Sequence, residues 1–233
     1  MNRRTFVSAS TGLLALGTVA GCLGSDTPEV SNESIFVEGS GGASSIDSDA
    51  LRNRLDSLVT GDLSTTERDD VLFMREEEKV ARDVYLALLE EWGLQPHDNI
   101  SDSEQSHMDA MLVLVELYDL EDPATGTVGT FTNPELQALH DDLVAWGLES
   151  AIDSLKVGCR IEEKDMRDIQ VRLDRTDEAA IKLVYENLIR GSRNHLRAFY
   201  RTLTRHGGDY EPVIISQERF DEIVSSDFES GKD

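Results

Sequence analysis

The sequence predicts an all-α protein built as a four-helix bundle: two helix hairpins joined by a long crossover that contains a short extra helix. Three observations carry that expectation. From Thr65 onward the apolar residues recur at steps of three and four, with few alternating β-type runs. Glycines fall where the periodic segments end, at Gly93, Gly147 and Gly207-Gly208. A Gly/Thr-rich stretch from Thr125 to Thr132 separates the second and third long segments, whereas the other connections are short.

Taken in order, residues 1–21 read as an export signal. Arg3 and Arg4 precede a mostly apolar run from Phe6 to Ala20 that is too short for a permanent membrane span. Asn2-Arg3-Arg4-Thr5-Phe6-Val7 resembles a twin-arginine signal, and Val19-Ala20-Gly21-Cys22 resembles a lipobox. Cys22 is then the lipidation site. The chain is expected to be exported and lipid-anchored to the outer face of the cell membrane, with a signal peptide bearing an incidental Cys as the plainer reading. Residues 22–45, rich in Ser, Gly, Thr and acids, read as a flexible tether. Residues 46–64 hold a short helix from about Asp47 to Leu58 and a linker.

The bundle itself is expected over residues 65–208. Its long helices run about Thr66 to Trp92, Asp102 to Leu120 with Ser101 as cap, Glu149 to Leu173, and Asp177 to His206. The crossover helix starts at Pro134 and ends near Trp146. Residues 209–233 form a tail expected to pack across the bundle through Tyr210, Val213, Ile214 and Ile215.

Charge excludes some functions. There are 46 acidic against 22 basic residues, a formal charge of -24. That balance argues against nucleic acid as a partner, because phosphate contacts need clustered Lys and Arg. The acid excess with few lysines suits a protein that works in concentrated salt, where carboxylates keep the surface hydrated and repulsive. Besides Cys22 there is only Cys159, and no Cys-x-x-Cys occurs. A disulfide within the lipidated chain and a thiolate zinc or iron site are therefore excluded.

The chemistry lies in polar residues placed on apolar stripes. The first long helix shows Val71, Met74, Glu78, Ala81, Tyr85, Leu88 and Trp92, with Glu78 in the middle. The second shows Glu104, His107, Met111, Leu114 and Tyr118, where Glu104 and His107 lie one turn apart. The third shows Ile152, Leu155, Cys159, Glu162, Met166, Ile169 and Leu173, with Asp165 at its margin. The fourth shows Ile181, Val184, Leu188, Ser192, His195, Phe199 and Leu203. A carboxylate in an apolar seam costs several kcal/mol unless it is paired or binds metal. The set Glu78, Glu104, His107, Glu162, Asp165 and His195 has the stoichiometry of a dinuclear carboxylate centre.

Blander readings stand beside that one. Ser101-x-x-Glu104 also fits a capping box, His195 fits a satisfied core histidine, and Asp165 fits a rim charge. Glu76 and Glu77 fall off the first stripe and are expected to be solvated, and Glu163 lies outside the third. His97 and His140 are expected at the surface, and Cys159 as a small buried filler. Tyr85, Trp92 and Tyr118 read as core. The arginines from Arg190 to Arg205 are expected to pair with acids of neighbouring helices.

Glu78-Lys-Val-Ala-Arg-Asp-Val-Tyr85, Glu104-Gln-Ser-His107 and Glu162-Glu-Lys-Asp165 resemble the ligand helices of rubrerythrin-type, ferritin-like proteins. Met74-Arg-Glu-Glu-Glu-Lys, Ser103-Glu-Gln-Ser-His-Met-Asp, Phe131-Thr-Asn-Pro-Glu-Leu and Arg190-Gly-Ser-Arg-Asn-His-Leu-Arg-Ala-Phe resemble one ferritin-like family catalogued as domain of unknown function 2202. The resemblance spans about Leu72 to Leu203. It implies a ferritin-like bundle holding iron, with two ions or with manganese as the alternative. It also implies oxidoreductase chemistry of ferroxidase or peroxidase type with O2 or peroxide, fed by an unidentified electron donor. The fourth helix departs from the pattern, with Ser192-x-x-His195 in place of Glu-x-x-His. That departure leaves open a non-enzymatic protein that buffers or delivers iron, manganese or zinc, and a metal-free structural or interaction module. The oligomeric state is open, a dimer included.

Overall fold

A computed structural model describes residues 34–231. The expectations for Arg3, Arg4 and Cys22 lie outside the described residues. Among those residues, none of the helices is long and apolar enough to cross a membrane.

The described chain is mostly helical. Its elements are β1 (Phe36–Glu38), β2 (Ser44–Ile46), α1 (Ser48–Leu55), α2 (Thr65–Trp92), α3 (Gln95–Leu117), α4 (Pro134–Gly147), α5 (Ala151–Leu173), α6 (Ala179–Arg205) and α7 (Gln217–Ser225). The four long helices are α2, α3, α5 and α6. α2 packs chiefly on α3, and α5 on α6, while α3 against α6 and α2 against α5 close the assembly. The connection from α3 to α5 carries α4, which lies on α2 and α5.

Local chemistry sets the boundaries. A capping box starts α2: Ser64 Oγ accepts from the Glu67 N–H, and Glu67 reaches back to the Ser64 N–H. Gly93, at φ 60°, turns the chain from α2 into α3, a conformation that favours glycine. Asn133 caps α4 ahead of Pro134, and Ser150 caps α5.

Two sequence expectations are corrected here. The second long helix begins at Gln95 and not at Asp102, because Pro96 occupies its first turn and starts the helix early. Ser101 is then interior and donates to the Asp98 carbonyl, so it makes no capping box with Glu104. The tether expected over 22–45 is structured from Phe36 onward. β1 and β2 pair antiparallel with Phe36 opposite Ile46, and both side chains are buried. The Ser/Gly composition hid this hairpin. Three alternate positions (Phe36, Ser44 and Ile46) supply the inward face, and Gly41 and Gly42 take positive φ in the turn. The hairpin and its turn lie on α3 and α6.

The tail follows expectation only in part. Tyr210, Phe220 and Ile223 are buried, but Val213 is 58% exposed. Backbone N–H groups of Val213, Ile214 and Ile215 point at the Glu163 carboxylate instead. Three arginines of α6, expected to pair with acids of neighbouring helices, reach this tail instead: Arg193 and Arg197 bind Glu229, and Arg201 donates to the Ser226 carbonyl.

The core falls into two apolar layers. One contains Tyr85, Leu88, Ile100, Leu155, Phe199 and Leu203; the other contains Val71, Met74, Met111, Leu114, Val184 and Leu188. On every long helix the polar stripe positions lie between residues of one layer and residues of the other.

Candidate metal centre

The middle layer brings the predicted residues together. Glu78 comes from α2, Glu104 and His107 from α3, Glu162 and Asp165 from α5, and Ser192 and His195 from α6. All are buried, and none of Glu78, Glu104, His107, Glu162 and His195 is more than 2% exposed. His107 Nδ1 lies 2.9 Å from Glu104 Oε2 and 3.3 Å from Glu78 Oε2. His195 Nδ1 lies 2.9 Å from Glu104 Oε1 and 3.5 Å from Glu162 Oε2. The two imidazoles stack, with centroids 5.2 Å apart. Glu104 thus stands between both rings. Ligand atoms of Glu104, His107 and His195 all lie within 4.8 Å of one another, a group that could hold a metal ion.

These close approaches are not hydrogen bonds. Among the described residues, both oxygens of Glu78, both ring nitrogens of His107, His195 Nδ1 and Asp165 Oδ1 lack a hydrogen-bond partner. Buried polar groups are normally satisfied, because leaving one unpaired costs about 1–3 kcal/mol. Lone pairs that converge on one another without hydrogen-bond geometry are the arrangement a cation requires. The donor set, carboxylate oxygen with imidazole nitrogen, suits iron, manganese or zinc.

The electrostatics agree. Burial pushes the Glu78 carboxyl up to about 7 despite His107 beside it. Burial also raises Glu162. Asp165 is raised well above its ordinary value, first by burial and then by the charges of Glu78, Glu77, Glu104 and Glu162. Burial acts to raise Glu104 as well, but the flanking imidazoles outweigh it and hold this carboxylate ionised. Burial acts downward on His195, yet Glu104 and Glu162 carry it up to about 9. His107 is raised likewise, Glu104 outweighing burial.

Surrounding groups orient it. Tyr85 Oη donates to Glu162 Oε1 at 2.5 Å. Ser44 Oγ, from the hairpin, is 3.0 Å from His195 Nε2. An Nε2–H donated to Ser44 leaves the Nδ1 lone pair facing Glu104. Gly191 gives His107 its room, since a Cβ there would come within 2.5 Å of His107 Nε2. The Ser192 hydroxyl lies within hydrogen-bond reach of Asp165 and of the Leu188 carbonyl, and it supplies no anionic ligand.

Ser44 and Gly191 were not foreseen from sequence, since Ser44 sits in a stretch with no helical register. Three other expectations are corrected. Glu76, Glu77 and Glu163 are buried, at 5% exposure or less. Each serves as an anchor off the stripe: Glu76 accepts from the Thr132 and Asn133 N–H groups, Glu77 from Lys164, and Glu163 from Tyr210 and the tail. His97 is fully buried against Tyr85 and Phe199, and His140 is buried against Phe131. Cys159 is a buried free thiol, as expected.

Helical folds that gather carboxylates and imidazoles in a dry middle layer are a class of potential metal proteins. The particular family is shown by comparison: residues 67–227 match the model of an uncharacterized protein domain, DUF2202, and the chain belongs to that family. It is 47% identical over 178 residues to the uncharacterized protein MJ0754 of Methanocaldococcus jannaschii, covering 76% of this chain and 96% of that one. The crystal structure of hypothetical protein MJ0754 from Methanococcus jannaschii superposes with a TM-score of 0.73, covering 74% of this chain and 99% of that chain.

Proposed function

We propose that this is a ferritin-like metal protein of four long helices whose middle layer holds a carboxylate–imidazole centre. The observation that carries the reading is the group of Glu104, His107 and His195, fully buried, mutually within 4.8 Å, and with both imidazole Nδ1 atoms unsatisfied. Those three residues would hold one cation. Glu78 and Glu162 flank it, and Asp165 completes the set available to a second. Iron or manganese bound there would supply one-electron chemistry toward O2 or peroxide, with Fe(II) as a possible substrate. The sequence holds no Cys-x-x-Cys pair, so reducing equivalents would come from a separate donor or from Fe(II) itself.

The chain's own residues prepare the site. Ser44 engages His195 Nε2, Tyr85 orients Glu162 through its hydrogen bond, and Gly191 admits the His107 ring. The two apolar layers exclude bulk water, which strengthens each electrostatic contact within. Anchoring through Cys22 after twin-arginine export would place this chemistry at the cell surface.

A second reading, a non-enzymatic protein that buffers or delivers metal, draws on Ser192. Its hydroxyl stands where the ferritin-like pattern has a carboxylate, which weakens a second site. The test is metal analysis of purified full-length protein followed by Fe(II) addition under air. Bound iron or manganese with accelerated Fe(II) oxidation supports the oxidoreductase. One redox-inert cation with no oxidation supports buffering. A folded protein that binds no metal, with unchanged behaviour in His107→Ala, overturns both.

A further inference from the structure

Glu77 lies off the stripe that carries Glu78, yet it is buried, at 5% exposure, and its Oε2 has no hydrogen-bond partner among the described residues. Asp165 is 6% exposed and its Oδ1 is likewise unpartnered. Both side chains line one small cavity of about 10 Å³, together with Val80, Ala81, Leu139, Leu143, Ile161 and Lys164. That volume admits about one water or one ion. A wider groove of about 220 Å³ lies beside it, lined by Trp146, Arg160 and Ile214 among others. Leu139, Leu143, Ile161 and Lys164 line both spaces, so the groove and the small cavity share a wall.

Lys164 occupies that wall. Its ammonium donates to Glu77 and to Asp168, and its side chain keeps 22% of its exposure. A partly exposed lysine can swing outward at modest cost, because its charge is carried on a flexible stem. Asp165 reaches inward: it takes the Ser192 hydroxyl and lies within electrostatic reach of Glu78, Glu104 and Glu162.

We propose that Glu77 and Asp165 form a loading site for a divalent cation between the surface groove and the metal centre, closed by the Lys164 ammonium until a cation displaces it. Two carboxylates then balance the dication while Lys164 retains Asp168. The inference rests on the reading of the middle layer as a metal centre, and it adds a route and a gate.

The test is stopped-flow loading of full-length protein with Co(II), whose visible absorption reports its ligands. Glu77→Gln is expected to load at least about tenfold more slowly, as removal of an attracting charge does to an on-rate, yet to reach the wild-type stoichiometry. Lys164→Gln is expected to load faster than wild type. Should Glu77→Gln not fold, Leu139→Trp fills the shared wall and is expected to slow loading in the same way. His107→Ala, by contrast, lowers the stoichiometry itself. Wild-type loading rates in Glu77→Gln, or in Leu139→Trp where that variant replaces it, overturn the loading site and leave the centre standing. A wild-type protein that takes up no Co(II) overturns the centre and the route together.

Discussion

Two sets of buried acids in this molecule differ in how their oxygens are satisfied. Asp83 is as buried as Glu78, but its oxygens accept from Lys79, from Arg82 and, at 2.9 Å, from the Gly129 N–H. Lys79 in turn donates to the carbonyls of Thr127 and Thr130, so the pair ties the crossover loop to α2. Glu76 and Glu163 do the same for α4 and the tail. Their acceptors are filled by the chain itself. In the middle layer the acceptors crowd together, and both Glu78 oxygens and Asp165 Oδ1 are left open. Burial alone therefore does not mark function in this fold; unsatisfied donor atoms that converge do.

The comparison breaks first, and by most, at the satisfied set. Asp83→Ala leaves the Lys79 ammonium buried without its carboxylate and is expected to cost about 3–5 kcal/mol in urea unfolding. Metal bound per folded chain stays at the wild-type value. A variant as stable as wild type would show that the satisfied acids do not hold the crossover.

The histidines make the same contrast by pH. His97 has no acid beside it, and burial alone lowers it to about 4, whereas His195 among carboxylates rises to about 9. The fold accepts only neutral His97, so its contribution is complete above pH 6.5 and lost as pH falls toward 4. From the size of that shift the loss is about 3 kcal/mol. Denaturant midpoints at pH 7 and pH 4 measure it, and His97→Phe should lessen the decline. An equal decline in that variant removes His97 from the explanation.

Ser44 sharpens the account of the open set. Losing an orienting partner of a metal-bound imidazole typically costs about 10–100-fold in affinity. Ser44→Ala should weaken metal binding by that factor in competition titrations, with little change in melting temperature. Unchanged affinity would mean that the hairpin covers the site without orienting it.

The smallest effect has the opposite sign. Glu78→Leu removes an unsatisfied acid from a crowded site and should stabilise the metal-free protein by about 1–2 kcal/mol while weakening metal binding. If it destabilises as Asp83→Ala does, the two sets are alike and the distinction fails.

Much of this was legible in the sequence. A period of 3.6 exposes a polar residue on an apolar stripe, which is how Glu78, His107 and His195 stood out before any geometry. The crossover with its short helix was legible for the same reason. Partners distant in sequence were not. Nothing near Ser44 announces His195, and nothing near Glu163 announces the backbone N–H groups of Val213 to Ile215. Off-stripe acids were read as solvated because a bare four-helix outline leaves them at the surface. α4 and the tail cover them, and the periodicity of one helix carries no record of what is laid over it.

The most direct test is X-ray absorption at the metal edge of the full-length protein loaded with iron or manganese. The account predicts a first shell of mixed oxygen and nitrogen with the multiple-scattering signature of two imidazoles, reduced to one in His107→Ala. An all-oxygen shell, unchanged in that variant, would place the metal on the acidic surface and contradict the assignment of the middle layer.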